Sequence, residues 1–415
     1  MNKICTICIL FLIVGCIRNI KENSGVIIID IEPKVKNSQK IYLSDFAENI
    51  EYVPLYSEED IILKGVYQMN KFKDLFFISD LTNCLLYNID GKFVTKIGNQ
   101  GDGPEEYRYV SRIAVSSTGK IYIQSLYDLL EYDINGKFLR KYNQIKKNGL
   151  WSIQSWISIN DSLFFGQIPN FSGNEEFKAF IYDINGNIIY KFKNYGKFHS
   201  KRIETNNFAN QANIYSFQNL IHFKERVNDT LFCLDDNFNL EPLFVFNLGS
   251  LSIPYIDFFQ SKTTDNQFGY INNIFETDNY IFIDIISNIT QLKRSKPVVE
   301  DGIKKWYFTN KLLGIYRKED AKLEFSSITQ TEDRLLRTGL YNDIDGGPKF
   351  YPEFLVDQST LIMPIEAIKL KEYVASETFK TCIPKYSEGK KHLEKLANSL
   401  KETDNPVLMI VRLKE

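Results

Sequence analysis

Tyr87 to Ile97 reads YNIDGKFVTKI, Tyr132 to Tyr142 reads YDINGKFLRKY, and Tyr182 to Phe192 reads YDINGNIIYKF. The three starts lie 45 and then 50 residues apart, a spacing that suits one four-stranded propeller blade. Each copy is a hairpin: an alternating strand, Asp-Gly or Asn-Gly, and a second alternating strand. Those dipeptides predict a tight type I′ turn, which needs positive φ at both central residues. A further strand pair precedes each copy, as Arg112 to Ser116 and Lys120 to Gln124 do around Thr118-Gly119.

Working outward, Thr230 to Phe246 is a weaker fourth copy with Asp235-Asp236-Asn237 at its turn. A fifth runs from Tyr280–Asp284 through Trp306–Phe308 to Leu313–Tyr316 and Leu323–Ser326, with the glycine-free turn Arg317–Asp320. A sixth uses Phe354 to Pro364 and the terminal Pro406 to Leu413. Ile50 to Leu55 precedes the first complete blade, Tyr67 to Gly98, and is expected to pair with C-terminal strands. Such pairing closes the ring and removes sheet edges. Ser387 to Lys401 reads as an amphipathic helix with Leu393, Leu396 and Leu400 on one face, packed outside the last blade. The expectation is an all-β, six-bladed propeller of four-stranded blades over residues 41–415, with a short C-terminal helix before the closing strand.

The N-terminus begins Met1-Asn2-Lys3, followed by an apolar run from Ile4 to Val14, the pattern of a secretory signal. It ends in Ile13-Val14-Gly15-Cys16, similar to a bacterial lipobox. Residues 1–15 are therefore expected to be a signal peptide, with Cys16 the lipidation site and 16–40 a lipid-anchored linker. Several acyl chains on one residue hold a protein on a membrane where a single chain holds it only marginally. Ile17 is not an acidic retention signal, and the likeness to other lipoproteins implies the outer membrane.

The net charge of −2 mixes both signs along the chain, so nothing suggests a nucleic-acid footprint. With Cys5 and Cys8 in the signal and Cys16 lipidated, Cys84, Cys233 and Cys382 remain, an odd count that argues against a disulfide framework. The repeat puts Cys84 and Cys233 on opposite sides of the ring, beyond disulfide reach.

Several segments resemble the six-bladed propeller lipoproteins related to the NHL-repeat group: Gly91 to Val94, Ile97 to Tyr107, Val227 to Phe232, Asn342 to Pro348 with Tyr351-Pro352, and Asn405 to Val411. The resemblance implies the fold and export, and no reaction. Blades three and five depart from it through long inserts, Gly166 to Glu176 and Ser287 to Lys305.

Ligands of propellers usually sit on the face crowned by the connections between blades and between each blade's two middle strands. Gly101 to Tyr107 is such a connection, and Asp102, Glu105, Glu106 and Arg108 either line a polar ligand site or shape the passage between blades. Asp343 and Asp345 either bind a cation such as Ca2+ or sugar hydroxyls, or form Asx turns. Asn83, Asp128 and Asp229 form a column four residues before matching strand positions, facing a ligand or capping strand entries. Trp151, Trp156 and Trp306 form either a sugar platform or blade-interface packing.

Only His199, His222 and His392 are present, in unrelated repeat positions, and no Gly-x-Ser-x-Gly elbow, phosphate loop or paired-cysteine motif occurs. The leading expectation is a binding or scaffold module for a glycan, peptide or envelope partner, without nucleic acid and without a required cofactor. The alternatives are a metal-assisted hydrolase or lyase with a carboxylate-lined site at the channel mouth, and a structural envelope component.

Overall fold

In a computed structural model, the described residues are 25–414 except 57–60, 126–127, 144–154, 171–172, 199–211, 254–266, 290–297, 301–302, 306–309, 330 and 332. Six four-stranded antiparallel sheets form the blades of a propeller. Blade 1 is β3 Gln68–Phe72, β4 Leu75–Ser79, β5 Cys84–Asn88 and β6 Phe93–Lys96, innermost strand first. Blade 2 is β7 Arg112–Val115, β8 Ile121–Ser125, β9 Asp128–Tyr132 and β10 Phe138–Asn143. Blade 3 is β11 Ser155–Ser158, β12 Leu163–Gln167, β13 Phe177–Asp183 and β14 Ile188–Lys193. Blade 4 is β15 Ala212–Phe217, β16 Leu220–Glu225, β17 Thr230–Leu234 and β18 Leu240–Asn247. Blade 5 is β19 Gly269–Glu276, β20 Tyr280–Ser287, β23 Asn310–Arg317 and β24 Lys322–Phe325.

Blade 6 closes the ring from both ends of the chain. Its inner strands are β25 Phe354–Leu355, β26 Thr360–Ile365 and β27 Val407–Leu413, and its outermost is β2 Ala47–Pro54. The register places Ile50 opposite Val411 and Pro54 opposite Val407, as the Ile50–Leu55 reading anticipates. Proline is tolerated there because an outermost strand leaves one row of N–H groups unpaired.

Tyr87, Tyr132 and Tyr182 occupy the same place in β5, β9 and β13, opposite Phe76, Ile121 and Phe164 of the preceding strand. The turns beyond them differ from the type I′ expectation. Positive φ falls only on Gly91 (79°), Gly136 (81°) and Gly186 (80°), not on Asp90, Asn135 or Asn185. Gly91 N–H donates to Asn88 O at 3.0 Å and Asn88 N–H to Lys92 O at 2.9 Å, which makes a three-residue loop with a glycine bulge. The residue opening each loop satisfies it: Asp133 Oδ1 accepts from the N–H groups of Asn135 and Lys137, both at 2.9 Å. Asp183 and Asp235 repeat this in blades 3 and 4, although in blade 4 Phe238 takes the left-handed position with φ of 63°.

Each blade's middle strands are covered on both sides, which is why LFFIS, IYIQS and LFFGQ read as continuous apolar runs rather than alternating ones. Phe77 packs toward blade 2 with Ile123 and Leu130, whereas its neighbours Phe76 and Ile78 pack toward blade 6 with Ile362 and Leu408. Trp156, fully buried in the seam between blades 2 and 3, donates its indole N–H to Gln124 Oε1 at 2.6 Å. Trp151 and Trp306 lie outside the described residues. Cys84 in β5 and Cys233 in β17 are free thiols on opposite blades, and Cys382 is free as well.

Three parts differ from the sequence expectation. Residues 26–40 are not all tether: β1 Ile27–Asp30 adds a fifth, parallel strand to the outer edge of β18, and α1 Glu32–Val35 follows it. Ile29 and Ile31 are buried there because the run IIID finds an apolar seam between blades 4 and 5. The inner strand of blade 5 is GYINNIFE, which the Trp306–Phe308 assignment overlooks, and 306–308 itself lies outside the described residues. The blade 5 insert carries the hairpin β21 Val298–Glu300 and β22 Ile303–Lys305.

Besides α1 and α2 Arg334–Arg337, the α-helices among the described residues gather between β26 and β27: α3 Ala367–Ala375, α4 Glu377–Thr381 and α5 Ser387–Ser399. Helix α5 matches the amphipathic reading, with Leu393 and Ala397 buried on blade 6 and α3. Lys371 of α3 donates to the Ala397 and Leu400 carbonyls at the C-terminal end of α5, satisfying acceptors a helix end leaves open. No helix among the described residues is long and apolar enough to cross a membrane.

Candidate functional site

The chain's path sorts connections onto two faces. One face carries the turns between first and second and between third and fourth strands of each blade. The other carries the middle-strand connections and the passages to the next blade, including the three clustered helices, and there a cleft of about 480 Å3 opens between blades 3 and 4. Lys178 of β13 and the Asn194–Gly196 stretch after β14 line one wall, and Glu225, Asn228, Asp229 and Phe232 line the other.

The first wall is held by amide side chains. Asn170 Nδ2 donates to Gly196 O at 2.7 Å, Asn194 Nδ2 donates to Glu175 O at 3.1 Å, and Gly196 N–H donates to Asn194 Oδ1 at 2.9 Å. These bonds tie the blade 3 insert to the exit of β14 and leave Tyr195 projecting, 82% exposed, with Lys193 5.6 Å from its ring centroid.

Across the cleft Lys178 faces Glu225, with Nζ 3.5 Å from Oε2 and both side chains largely buried. The same ammonium lies 4.7 Å from the Phe232 ring centroid, where the negative ring face stabilises it. Asn228 Nδ2 also lies 3.5 Å from Glu225 Oε2. Burial pushes the Asp229 carboxyl up, against the opposing pull of Lys224 and a hydrogen bond from Ser252. Lys224 is fully buried beneath this wall, its Nζ donating to the Glu225 and Arg226 carbonyls. Burial pulls its ammonium down to about 8.

The cleft thus presents ammonium, amide and carboxylate groups beside one exposed aromatic ring. Such a set offers hydrogen bonds and a stacking surface to a polar molecule. Among the described residues that line it, no nucleophile is paired with a base. Among the described residues no group of three or more His, Cys, Asp and Glu could hold a metal ion.

Of the candidate ligand-binding residues read from the sequence, the cleft brings in Asp229 alone, together with Val227, Asn228 and Phe232 of the segment around it. Glu106 folds back into its own loop, its Oε2 accepting from Gly103 N–H at 2.9 Å, and a Cβ on Gly101 would collide with that carboxylate. Asp102 and Arg108 pair at 2.6 Å on the surface, and Glu105 O accepts from Tyr132 OH at 2.8 Å. Asn83 N–H donates to Asp80 Oδ1, and Asp128 pairs with Lys141 at 2.8 Å. Both stand at the start of a third strand, as Asp229 does before β17.

Asp343 and Asp345 sit at the outer edge of blade 6, not at the channel mouth. Asp343 accepts from Ser44 N–H at 3.1 Å and pairs with Lys385 at 2.8 Å. Asp345, 5% exposed, accepts from Asn342 Nδ2 at 2.6 Å, Gly347 N–H at 2.8 Å and Tyr52 OH of β2 at 3.3 Å. His222 is buried and His392 lies on the exposed face of α5, whereas Cys16 and His199 lie outside the described residues.

Sequence reasoning missed Lys178, Asn194, Tyr195 and Glu225 because no motif marks them. The available signal was the long blade 3 insert and the Asn-rich passage after Phe192.

No protein of curated function matches the chain. A solved structure from Bacteroides fragilis NCTC 9343, described as an exported protein, is similar with a TM-score of 0.66 at 18% identity, covering 94% of this chain and 100% of that one. A member of the DUF4221 family from Bacteroides vulgatus ATCC 8482 is similar with a TM-score of 0.50 at 12% identity, covering 89% and 97%. At these identities the likeness shows the fold. The profile of a domain family of unknown function, DUF4934, matches residues 26–412, from the fifth strand on blade 4 through nearly all of the closing strand, and the chain belongs to that family.

Proposed function

We propose that the protein is an exported, lipid-anchored binding module that holds a glycan in the cleft between blades 3 and 4. The observation that carries this reading is Tyr195, 82% exposed on the rim of a cleft of about 480 Å3 whose walls are polar side chains. A sugar ring offers an apolar C–H face to an aromatic ring and hydroxyls to amides and carboxylates. Pockets of a few hundred Å3 are of ligand size. Asn228 and Glu225 supply a donor and an acceptor, and Lys178, with Nζ 3.5 Å from Glu225 Oε2, orients that carboxylate.

Export and anchoring rest on the apolar run Ile4–Val14 ending at Cys16, and the similar B. fragilis protein is also described as exported. Ile17 after the anchor cysteine, in place of an acidic retention residue, supports the outer membrane by likeness to other lipoproteins.

The test is calorimetric titration of the mature chain with neutral and N-acetylated oligosaccharides. Binding is expected in the wild type, with Tyr195→Ala and Glu225→Gln each weakening it tenfold or more, about 1.4 kcal/mol. Absence of binding across the panel, or unchanged affinity in Tyr195→Ala, rejects the reading.

A further inference from the structure

We infer that the protein rides on the membrane with its tight-turn face toward the lipid, so that the cleft between blades 3 and 4 opens away from the bilayer. The inference rests on the lipid-anchor reading and concerns the surface that meets the membrane.

The direction of β1 carries it. Strand β18 runs from the tight turn Asp235–Asn239 up to the loop face, where Gly249–Leu251 begins the passage to blade 5. Strand β1 is parallel to it, with Ile27 opposite Phe244 and Asp30 opposite Asn247. The chain therefore arrives at the ring from the tight-turn side.

The arrival point is fastened. Ile31 N–H donates to Asn247 O at 2.9 Å and Asn247 Nδ2 to Asp30 Oδ1 at 2.7 Å. Glu32 accepts from Ser250 N–H at 3.0 Å, and Ile29 and Ile31 are buried. Peeling this strand off would expose two isoleucines that are buried in the seam.

The tether's length decides between the two orientations. Cys16 to Gly25 spans at most about 30 Å when fully extended. Continuing the register, Gly25 stands level with Pro242, about 7 Å from the tight-turn end of β18 and about 17 Å from its loop-face end at 3.3 Å per residue. Lipid contact on the tight-turn side uses under a quarter of the tether and keeps the chain's direction. Contact on the loop side reverses the chain and consumes more than half of its reach before the loops themselves are cleared. Val26, Ile27 and Ile28, with Ile28 65% exposed, form an apolar edge on the lipid side of the fastening point.

The test uses the full-length protein purified from membranes, with Cys233→Ser and Cys382→Ser removing the partly accessible thiols. A donor dye is placed at Asp236→Cys, in the blade 4 tight turn, or at Glu176→Cys, on the loop face beside the cleft. The protein is reconstituted into phosphatidylethanolamine–phosphatidylglycerol vesicles carrying an acceptor-labelled lipid. Energy transfer is expected to be several-fold greater from position 236 than from position 176. Equal transfer, or greater transfer from 176, overturns the inference. The mass of the N-terminal peptide separates the two failures. An acylated Cys16 with equal transfer rejects the orientation alone, and an unmodified Cys16 rejects the anchor and the orientation with it.

Discussion

The two faces of the ring are built from the same strands and differ in what joins them. On the tight-turn face each connection within a blade has two to five residues, and its polar groups are consumed internally by Asx bonds, glycine bulges and ion pairs. On the loop face the connections extend to passages such as 326–353 and 366–406, and polar groups there are left over to line a cleft. The contrast teaches that one end of this propeller is committed to stability and the other is released from it.

The clearest instance lies between blades 4 and 5 on the tight-turn side. Glu276, the last residue of β19, is 2% exposed, and His222 Nδ1 stands 2.8 Å from its Oε2, the geometry of an N–H donor. Tyr215 OH donates to the same oxygen at 2.7 Å and Lys318 Nζ to Oε1 at 2.7 Å. Burial pushes this carboxyl up, yet the His222 hydrogen bond and the Lys318 charge outweigh burial and hold it below the usual glutamate range.

The largest expected effect is therefore Glu276→Ala. Removing the carboxylate strands the buried His222 imidazole and the partly buried Lys318 ammonium, and denaturant unfolding should show a loss of about 3 kcal/mol. The depressed folded-state value also sets a pH window. The ionised carboxylate stabilises the fold above the ordinary glutamate range, and that contribution is lost as pH falls through the lower folded-state value. Glu276→Gln, which keeps the shape but does not titrate, should flatten the acid limb of the stability curve. An unaltered limb would show that other carboxylates govern it.

Next in size is Gly91→Ala. An L-residue at φ of 79° is strained, and the added Cβ would collide with the Pro54 carbonyl where the ring-closing strand leaves blade 6. A loss of about 2 kcal/mol or more is expected in the same unfolding measurement. The smallest effect belongs to the other face: Tyr195→Ala should change stability by less than about 0.5 kcal/mol while abolishing stacking in the cleft. A destabilisation comparable to that of Gly91→Ala would erase the distinction between the faces.

The candidate site was less legible than the fold for the same reason. Glu106 and Asp345 stood out because they neighbour glycines, yet those glycines exist to let the loops fold onto the carboxylates. Glu225 and Tyr195 stood out in nothing, since 30 residues and a blade boundary separate them. Only the seating of blade 4 against blade 3 makes them opposite walls.

By itself the sequence determined the repeat. Tyr87, Tyr132 and Tyr182, the Asp-Gly and Asn-Gly turns, and the doubly apolar middle strands are encoded within a dozen residues each, because hairpin register and alternation are local. It also determined the closure, since an unpaired strand at each end of a ring has one place to go. The tertiary structure alone decided the fifth strand Ile27–Asp30, the inner strand Gly269–Glu276, the His222–Glu276 pair and the cleft. Each joins segments through seam packing and ring geometry, and the partner that satisfies such a segment lies tens to hundreds of residues away, where no local pattern records it.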